Sequence, residues 1–264
     1  MTQEQRLDYL LERFKEDSGE YRNLRTGNGL EEKRRALRSL MNVRMPDGMD
    51  AETLAAQDAY LRERAGEKGI VTPDMIPAAK NPRLSLWQGD ITRLAVDAIV
   101  NAANAQMLGC FIPMHNCIDN CIHTFAGVQL RGECARQMGI LRKRYGRDYE
   151  QPTAVPMLTD AYNLPAKKIV HIVGPVVEGE LTRRNERDLA DCYRNTLNLC
   201  AENGLRIVAF CCISTGVFRF PPERAAEIAV ETVTDWLNAN AGKMERVIFN
   251  VFGDRDRAIY EKLL

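Results

Sequence analysis

The chain has 264 residues, room for one large domain or a domain with an appendage, since single cores stop growing at about 250 to 300 residues. With 45% hydrophobic and 27% charged residues, it has the composition of a folded globular protein, which excludes wholesale disorder. Lys plus Arg and Asp plus Glu balance at 36 each, so no general attraction to nucleic acid is expected, and the run Arg142, Lys143, Arg144, Arg147 reads as a solvated face.

Residues 1 to 80 carry a helical pattern. Leu7, Leu10, Leu11 and Phe14 share one face, as do Ala36, Leu37, Leu40 and Met41, and Asp50 is placed to cap a third helix through Leu54 and Leu61. Thr26 to Gly29 and Met45 to Gly48 are turn signals between them. The opening MTQEQRLDYLLERFKED mixes charge with leucine, and no stretch reaches about 18 apolar residues, so neither a leader nor a membrane span is expected. A cytoplasmic location follows as an expectation, and with it the eight cysteines are expected as thiols, ligands or buried side chains instead of disulfides.

Pro73, Pro77, Asn81 and Pro82 then mark a linker, after which the pattern changes. Leu84 to Gln88, Ala98 to Val100, Lys168 to Val173, Ile207 to Cys212 and Val247 to Phe252 are short apolar runs bounded by turn or charged residues, the pattern of buried strands. Between them the spacing predicts helices over Ile118 to Met138, Leu189 to Glu202 and Arg224 to Leu237. Alternation of this kind predicts an α/β sandwich with a largely parallel sheet, whose ligands sit beyond the carboxyl ends of the strands.

Those ends carry the informative residues. Gly89-Asp90-Ile91-Thr92 and Asn101-Ala102-Ala103-Asn104 are compact polar turns, which alone indicate side-chain caps. Ser214-Thr215-Gly216-Val217-Phe218 links a strand to a helix start near Pro221 and Pro222, a setting in which backbone N–H groups can meet a phosphate. The densest signal is Cys110, His115 and Cys117, two thiols and an imidazole within one short loop, a donor set suited to Zn²⁺. Three ligands leave a coordination position open, as in catalytic zinc sites. Cys121 is the alternative fourth ligand but is expected to face the core, and His123 and His171 lie in apolar strings and read as core histidines. Asp119 is placed either to interact with its helix N-terminus or to orient a hydroxyl or water.

Taken in order, GDITRLAVDAIVNAAN, CIDNCIHTFAG, DAYNLPAKKIVHIVGP and ISTGVF closely resemble the macrodomain family, whose members bind ADP-ribose. The resemblance runs from residue 84 to residue 264 and implies an α/β/α sandwich with a mixed, largely parallel central sheet over 81–264, with 1–80 as a helical N-terminal extension. Most macrodomains are glycine-rich where this chain reads MLGCFIPMHNCI, a replacement similar to that of the zinc-containing branch. The resemblance implies that Asp90 and the Ile91 backbone meet adenine, that Phe252 packs on its other side, and that Ser214, Thr215, Gly216, Val217 and Phe218 hold the diphosphate. It implies Asn104 and Asp119 as catalytic support at the terminal ribose, and Cys110, His115 and Cys117 as zinc ligands. One departure is Ala154, in PTAVPML, where a glycine is expected.

The activity implied is zinc-dependent hydrolysis that removes ADP-ribose from mono-ADP-ribosylated proteins. A non-catalytic ADP-ribose-binding module and an O-acetyl-ADP-ribose deacetylase are the alternatives on the same pocket. The branch is frequently paired with sirtuin-like transferases and lipoyl-carrier proteins, which adds a lipoyl-carrier protein as a partner expectation.

Overall fold

Helical periodicity at the N-terminus becomes three packed helices. In α1 (Gln3–Ser18) Leu7, Leu10, Leu11 and Phe14 are buried on one face, and Thr2 caps the helix by accepting from the Gln5 N–H. α2 (Leu30–Val43) buries Leu37, Leu40 and Met41, while α3 (Ala51–Lys68), capped by Asp50, buries Ala56, Tyr60 and Leu61. In the computed structural model, which describes residues 1–264, these side chains form a cluster of 10 buried residues separate from the 51-residue cluster of the rest of the chain. The proline-containing stretch that follows is an ordered strap. Val71 bridges to Leu94 and Ala78 to Ser85, and Arg246 Nη1 donates to the carbonyls of Pro73 and Ile76.

Six strands make one sheet: β1 (Leu84–Gln88), β2 (Ala98–Ala103), β3 (Met157–Asp160), β4 (Lys168–Val173), β5 (Ile207–Phe210) and β6 (Arg246–Val251). The order is β1-β6-β5-β2-β4-β3, and every neighbouring pair is parallel except β3 with β4. Buried on both faces, the inner strands read as continuous apolar runs, as parallel strands covered by helices do. Helices α6 (Arg183–Glu202), α7 (Pro222–Ala239) and α8 (Asp254–Leu263) pack side by side along the sheet. α4 (Ile118–Ala126) and α5 (Val128–Tyr145) pack together beside β2 and β3.

Two elements differ from the sequence expectation. The helix expected over Ile118 to Met138 is broken at Gly127, whose φ of +100° lies where only glycine is comfortable. A Cβ there would stand 2.8 Å from Gln57 Nε2, so α3 approaches the break closely. β3 is an unanticipated edge strand, four residues long after Pro156, too short to declare a period. The turn before it holds Ala154 at φ +63°, the left-handed conformation that the missing glycine would have taken without cost. Hydrogen bonds keep it there: Ala154 N–H donates to Val173 and its carbonyl accepts from Asn195.

Candidate functional site

Strand order sets out the expected binding residues in a row. Asp90 follows β1, Phe252 follows β6, Ser214 to Phe218 follow β5, and Asn104 follows β2. Adjacent strands lie about 4.8 Å apart, so the three steps from β1 to β2 spread this rim over about 14 Å.

At the β1 end, Asp90 Oδ1 accepts from Thr92 N–H at 3.0 Å and from Thr92 Oγ1 at 2.6 Å, while Oδ2 accepts from Lys68 Nζ at 2.6 Å. Burial alone would raise the Asp90 carboxyl, but Lys68 and Thr92 outweigh it and hold the group below its ordinary range. Ile91 is wholly buried, backbone included, so the expected backbone contact with a ligand is not open in this structure. Phe252 projects from the rim at 79% exposure, an apolar face for a flat ring.

In the middle, Ser214 adopts φ +65° and turns the chain sharply. The backbone N–H groups of Thr215, Gly216, Val217 and Phe218 find no acceptor within the chain, and Phe220 N–H closes the loop onto the Ser214 carbonyl. Four unpaired donors just before α7 leave backbone N–H groups free for an anion, as the sequence led one to expect. Gly174, after β4, comes so near that a Cβ would lie 2.7 Å from Ile213 Cγ2 and would overlap Ser214 Oγ. Val177 N–H further pins the loop at the Phe218 carbonyl.

Beyond β2 the site changes character. Asn104 Nδ2 donates to the Gly109 carbonyl at 3.3 Å and lies 3.4 Å from Asp119 Oδ2, linking the loop of Cys110, His115 and Cys117 to that carboxyl. Asp119 is 5% exposed in the first turn of α4, and burial raises its pKa to about 6 against the Asn101 hydrogen bond and the Arg131 charge. Cys117 is the N-cap of α4, its sulfur accepting from Asn120 N–H. Cys110 Sγ lies 3.6 Å from His115 Nδ1, and one donor atom from each of Cys110, His115 and Cys117 falls within 4.8 Å of the others. Ligands at about 2.3 Å (sulfur) and about 2.1 Å (nitrogen) around a tetrahedral ion stand about 3.6 Å apart, so the spacing fits zinc. Burial raises the Cys117 thiol, and Cys110 beside it opposes its ionisation, a balance that a divalent cation reverses.

Under Asp119 lies a buried polar string. Asn101 Nδ2 donates to Asp119 Oδ1 at 2.8 Å and meets His171 Nδ1 at 3.0 Å, and His171 Nε2 meets Thr159 Oγ1 at 3.0 Å. This pairing makes Nδ1 the acceptor and puts the His171 proton on Nε2. His123, Cys134 and His171 also converge, but both nitrogens of His171 are already hydrogen-bonded, so this second group supports the site from below instead of offering an ion a place. Both histidines are buried, as expected, and burial keeps them neutral, His171 with a pKa lowered to about 3.

The N-terminal helices reach this end of the rim, a role that nothing in the sequence pattern signalled. Arg38 Nη2 donates to the His115 carbonyl at 2.8 Å and to Asn120 Oδ1 at 2.9 Å. Asn42 accepts from Met114 N–H at 3.0 Å and donates to Thr124 Oγ1 at 2.8 Å, while Arg131 donates to the carbonyls of Asn42 and Leu108. Cys121 does not join the thiol–imidazole group. Expected in the core, it is half-buried at this junction, where Arg38 Nη2 lies 3.6 Å from its sulfur. A groove of about 670 Å³ between α6 and α7 is lined by Arg183, Glu186, Arg224 and Trp236 among others and by none of these residues.

Known proteins resemble this chain over most of its length. The chain is 48% identical over 267 residues to a protein-ADP-ribose hydrolase of Treponema medium, with all of both chains covered. The Macro domain family matches residues 100–229. The chain belongs to the Macro domain family. A protein-ADP-ribose hydrolase of Staphylococcus aureus strain Mu50 is 42% identical over 260 residues, 98% of this chain and 95% of that one. Among solved structures, a Trypanosoma brucei macrodomain in complex with ADP-ribose matches with a TM-score of 0.64 and 29% identity, covering 85% of this chain and 94% of that chain. The macrodomain's mixed, mostly parallel six-stranded sheet is thus the fold of this chain, with the helical extension added in front.

Proposed function

We propose that this macrodomain hydrolyses the bond between ADP-ribose and a modified protein side chain, with a zinc ion held by Cys110, His115 and Cys117. One observation carries the reading: the thiol–imidazole trio and Asp119 stand together at the end of a rim that begins with Asp90 and passes through four unpaired N–H groups. The relatives named protein-ADP-ribose hydrolase support the reaction class. Bound there, zinc would supply Lewis acidity toward a ribose or leaving-group oxygen, or a bound water of pKa near about 7.

The chain's own groups do the rest. Asp90 meets the adenine edge, and Phe252 covers its face. The N–H groups of Thr215 to Phe218 fix the diphosphate, which holds the terminal ribose in place and lowers the entropic part of the barrier. Asn104 and Asp119 orient a ribose hydroxyl or water, with Asn101 and His171 keeping the carboxyl in register from beneath. A lipoyl-carrier protein modified by a sirtuin-like transferase is the substrate class to try first, on the strength of the resemblance alone.

The test measures release of ADP-ribose from modified protein, and affinity for free ADP-ribose, in Cys117→Ala and Asp119→Ala. Turnover should fall about a hundredfold or more while the dissociation constant moves by no more than about threefold. Unchanged turnover would overturn the catalytic assignment, and native protein that is metal-free yet fully active would remove the zinc and leave the cleft. Release of acetate from O-acetyl-ADP-ribose without cleavage of modified protein would put the deacetylase in its place.

A further inference from the structure

Lys68 belongs to the extension, at the last turn of α3, yet its ammonium lies inside the β1 end of the rim. Nζ donates to Asp90 Oδ2 at 2.6 Å and to Thr92 Oγ1 at 3.2 Å, and it lies 3.3 Å from the centroid of the Phe125 ring. All three ammonium directions are therefore engaged, two by oxygen and one by a ring face. Its side chain is 21% exposed and that of Asp90 30%. The backbone fixes the approach as well: the Gly69 carbonyl accepts from Arg93 Nε at 2.7 Å, and Val71 and Arg93 are hydrogen-bonded. Lys68 is thus set against the residues after β1 from both its ends.

An ionised carboxylate offers about four acceptor positions. On Asp90, Thr92 takes two at Oδ1 and Lys68 takes one at Oδ2, so a single lone pair of Oδ2 is left facing outward. Without Lys68, Oδ2 would have no protein partner, and the carboxylate would be free to tilt about its contact with Thr92.

We propose that Lys68 is a positioning residue for base recognition: it holds the Asp90 carboxylate so that the remaining Oδ2 lone pair meets the exocyclic amino group of adenine. This rests on the reading that Asp90 contacts the base. It makes the N-terminal extension part of the nucleotide site and not a separate appendage. A lysine that only stapled the extension to the sheet would affect all ligands of the rim alike. A positioning lysine affects those that carry the amino group.

The 264-residue protein and its Lys68→Met variant are titrated with ADP-ribose and with inosine diphosphate ribose, in which a carbonyl replaces the amino group. The wild type should prefer ADP-ribose. In Lys68→Met its affinity should fall about tenfold, the scale of one charge-assisted hydrogen bond, while that for the hypoxanthine ligand changes by no more than about twofold. Lys68→Arg should restore most of the preference, and Lys68→Gln, which keeps the stem and a donor, serves if the methionine variant does not fold. An equal loss for both ligands, or no loss, overturns the proposal. Asp90→Asn separates the two levels: if it leaves the base preference intact, the assignment of Asp90 to adenine fails; if it abolishes a preference that Lys68→Met preserves, only the role of Lys68 fails.

Discussion

The two ends of the rim are built from different materials. From β1 to β5 the candidate binding groups are backbone N–H donors, a strand-end carboxylate and an exposed ring, placed by the sheet with one contact from the extension, Lys68 on Asp90. Beyond β2 they are side chains on a loop whose course is set by Arg38 and Asn42 of the extension. Under the proposed function, binding would rest mainly on the sheet, and the chemistry on separate helices that hold a loop in place. The same division explains how a binding cleft can keep its shape while its reacting end is changed or lost.

Three changes sharpen this comparison. The largest effect is expected for Gly174→Val. Its side chain would collide with Ile213 and Ser214 and displace the N–H groups beside them, so ADP-ribose affinity should fall about a hundredfold while zinc content is retained. Titration with ADP-ribose alongside elemental analysis checks this, and affinity within about threefold of wild type would show that the loop can yield.

Next comes acid. His171, with a folded pKa of about 3 against about 6.5 when unfolded, takes up its proton in the unfolded chain first. Its contribution is then complete above about pH 6.5 and is lost as pH falls through the window down to about 3, reaching about 2 kcal/mol at pH 5. Denaturant titrations at pH 7 and pH 5 should differ by at least that amount, and His171→Gln should narrow the gap. A flat profile would mean that His171 is charged or wet, contrary to its burial under Asp119.

The smallest expected effect is that of Asn42→Ala, which removes the acceptor for Met114 N–H and the donor to Thr124 from a residue 1% exposed. Zinc affinity and turnover should each drop about tenfold with ADP-ribose binding unchanged, since the groups that orient ligand-bearing elements tune a metal site at that scale. Equal loss at both ends would mean that the extension simply holds the whole protein together.

Legibility followed the same line. Apolar runs announced β2, β4, β5 and β6 because an inner strand covered on both faces is largely apolar, and the edge strand β1 through its leucines and Trp87. β3 escaped because an edge strand of four residues with one buried side carries almost no pattern. Gly127 ended α4 inside what read as one helix, since a lone glycine is compatible with either outcome until the helix packing beside it is known. Ala154 was visible only as an odd residue in its turn, and its left-handed backbone gives that oddness a physical meaning. Cys110, His115 and Cys117 were readable because they are neighbours in sequence, and the structure does bring their donor atoms together. Lys68 with Asp90, Arg38 with His115 and Asn42 with Met114 were not, because pairs separated by 22 to 77 residues leave no periodicity or spacing to read.

The order of strands also decides how far the protein can be trimmed. The family match over 100–229 leaves out β1 and β6, and β6 is the strand that covers the outer edge of β5. A fragment cut to those limits would present Ile207–Phe210 as a bare apolar edge with open N–H and C=O groups, an invitation to pair with the next copy. It would stick to itself before it could hold a nucleotide.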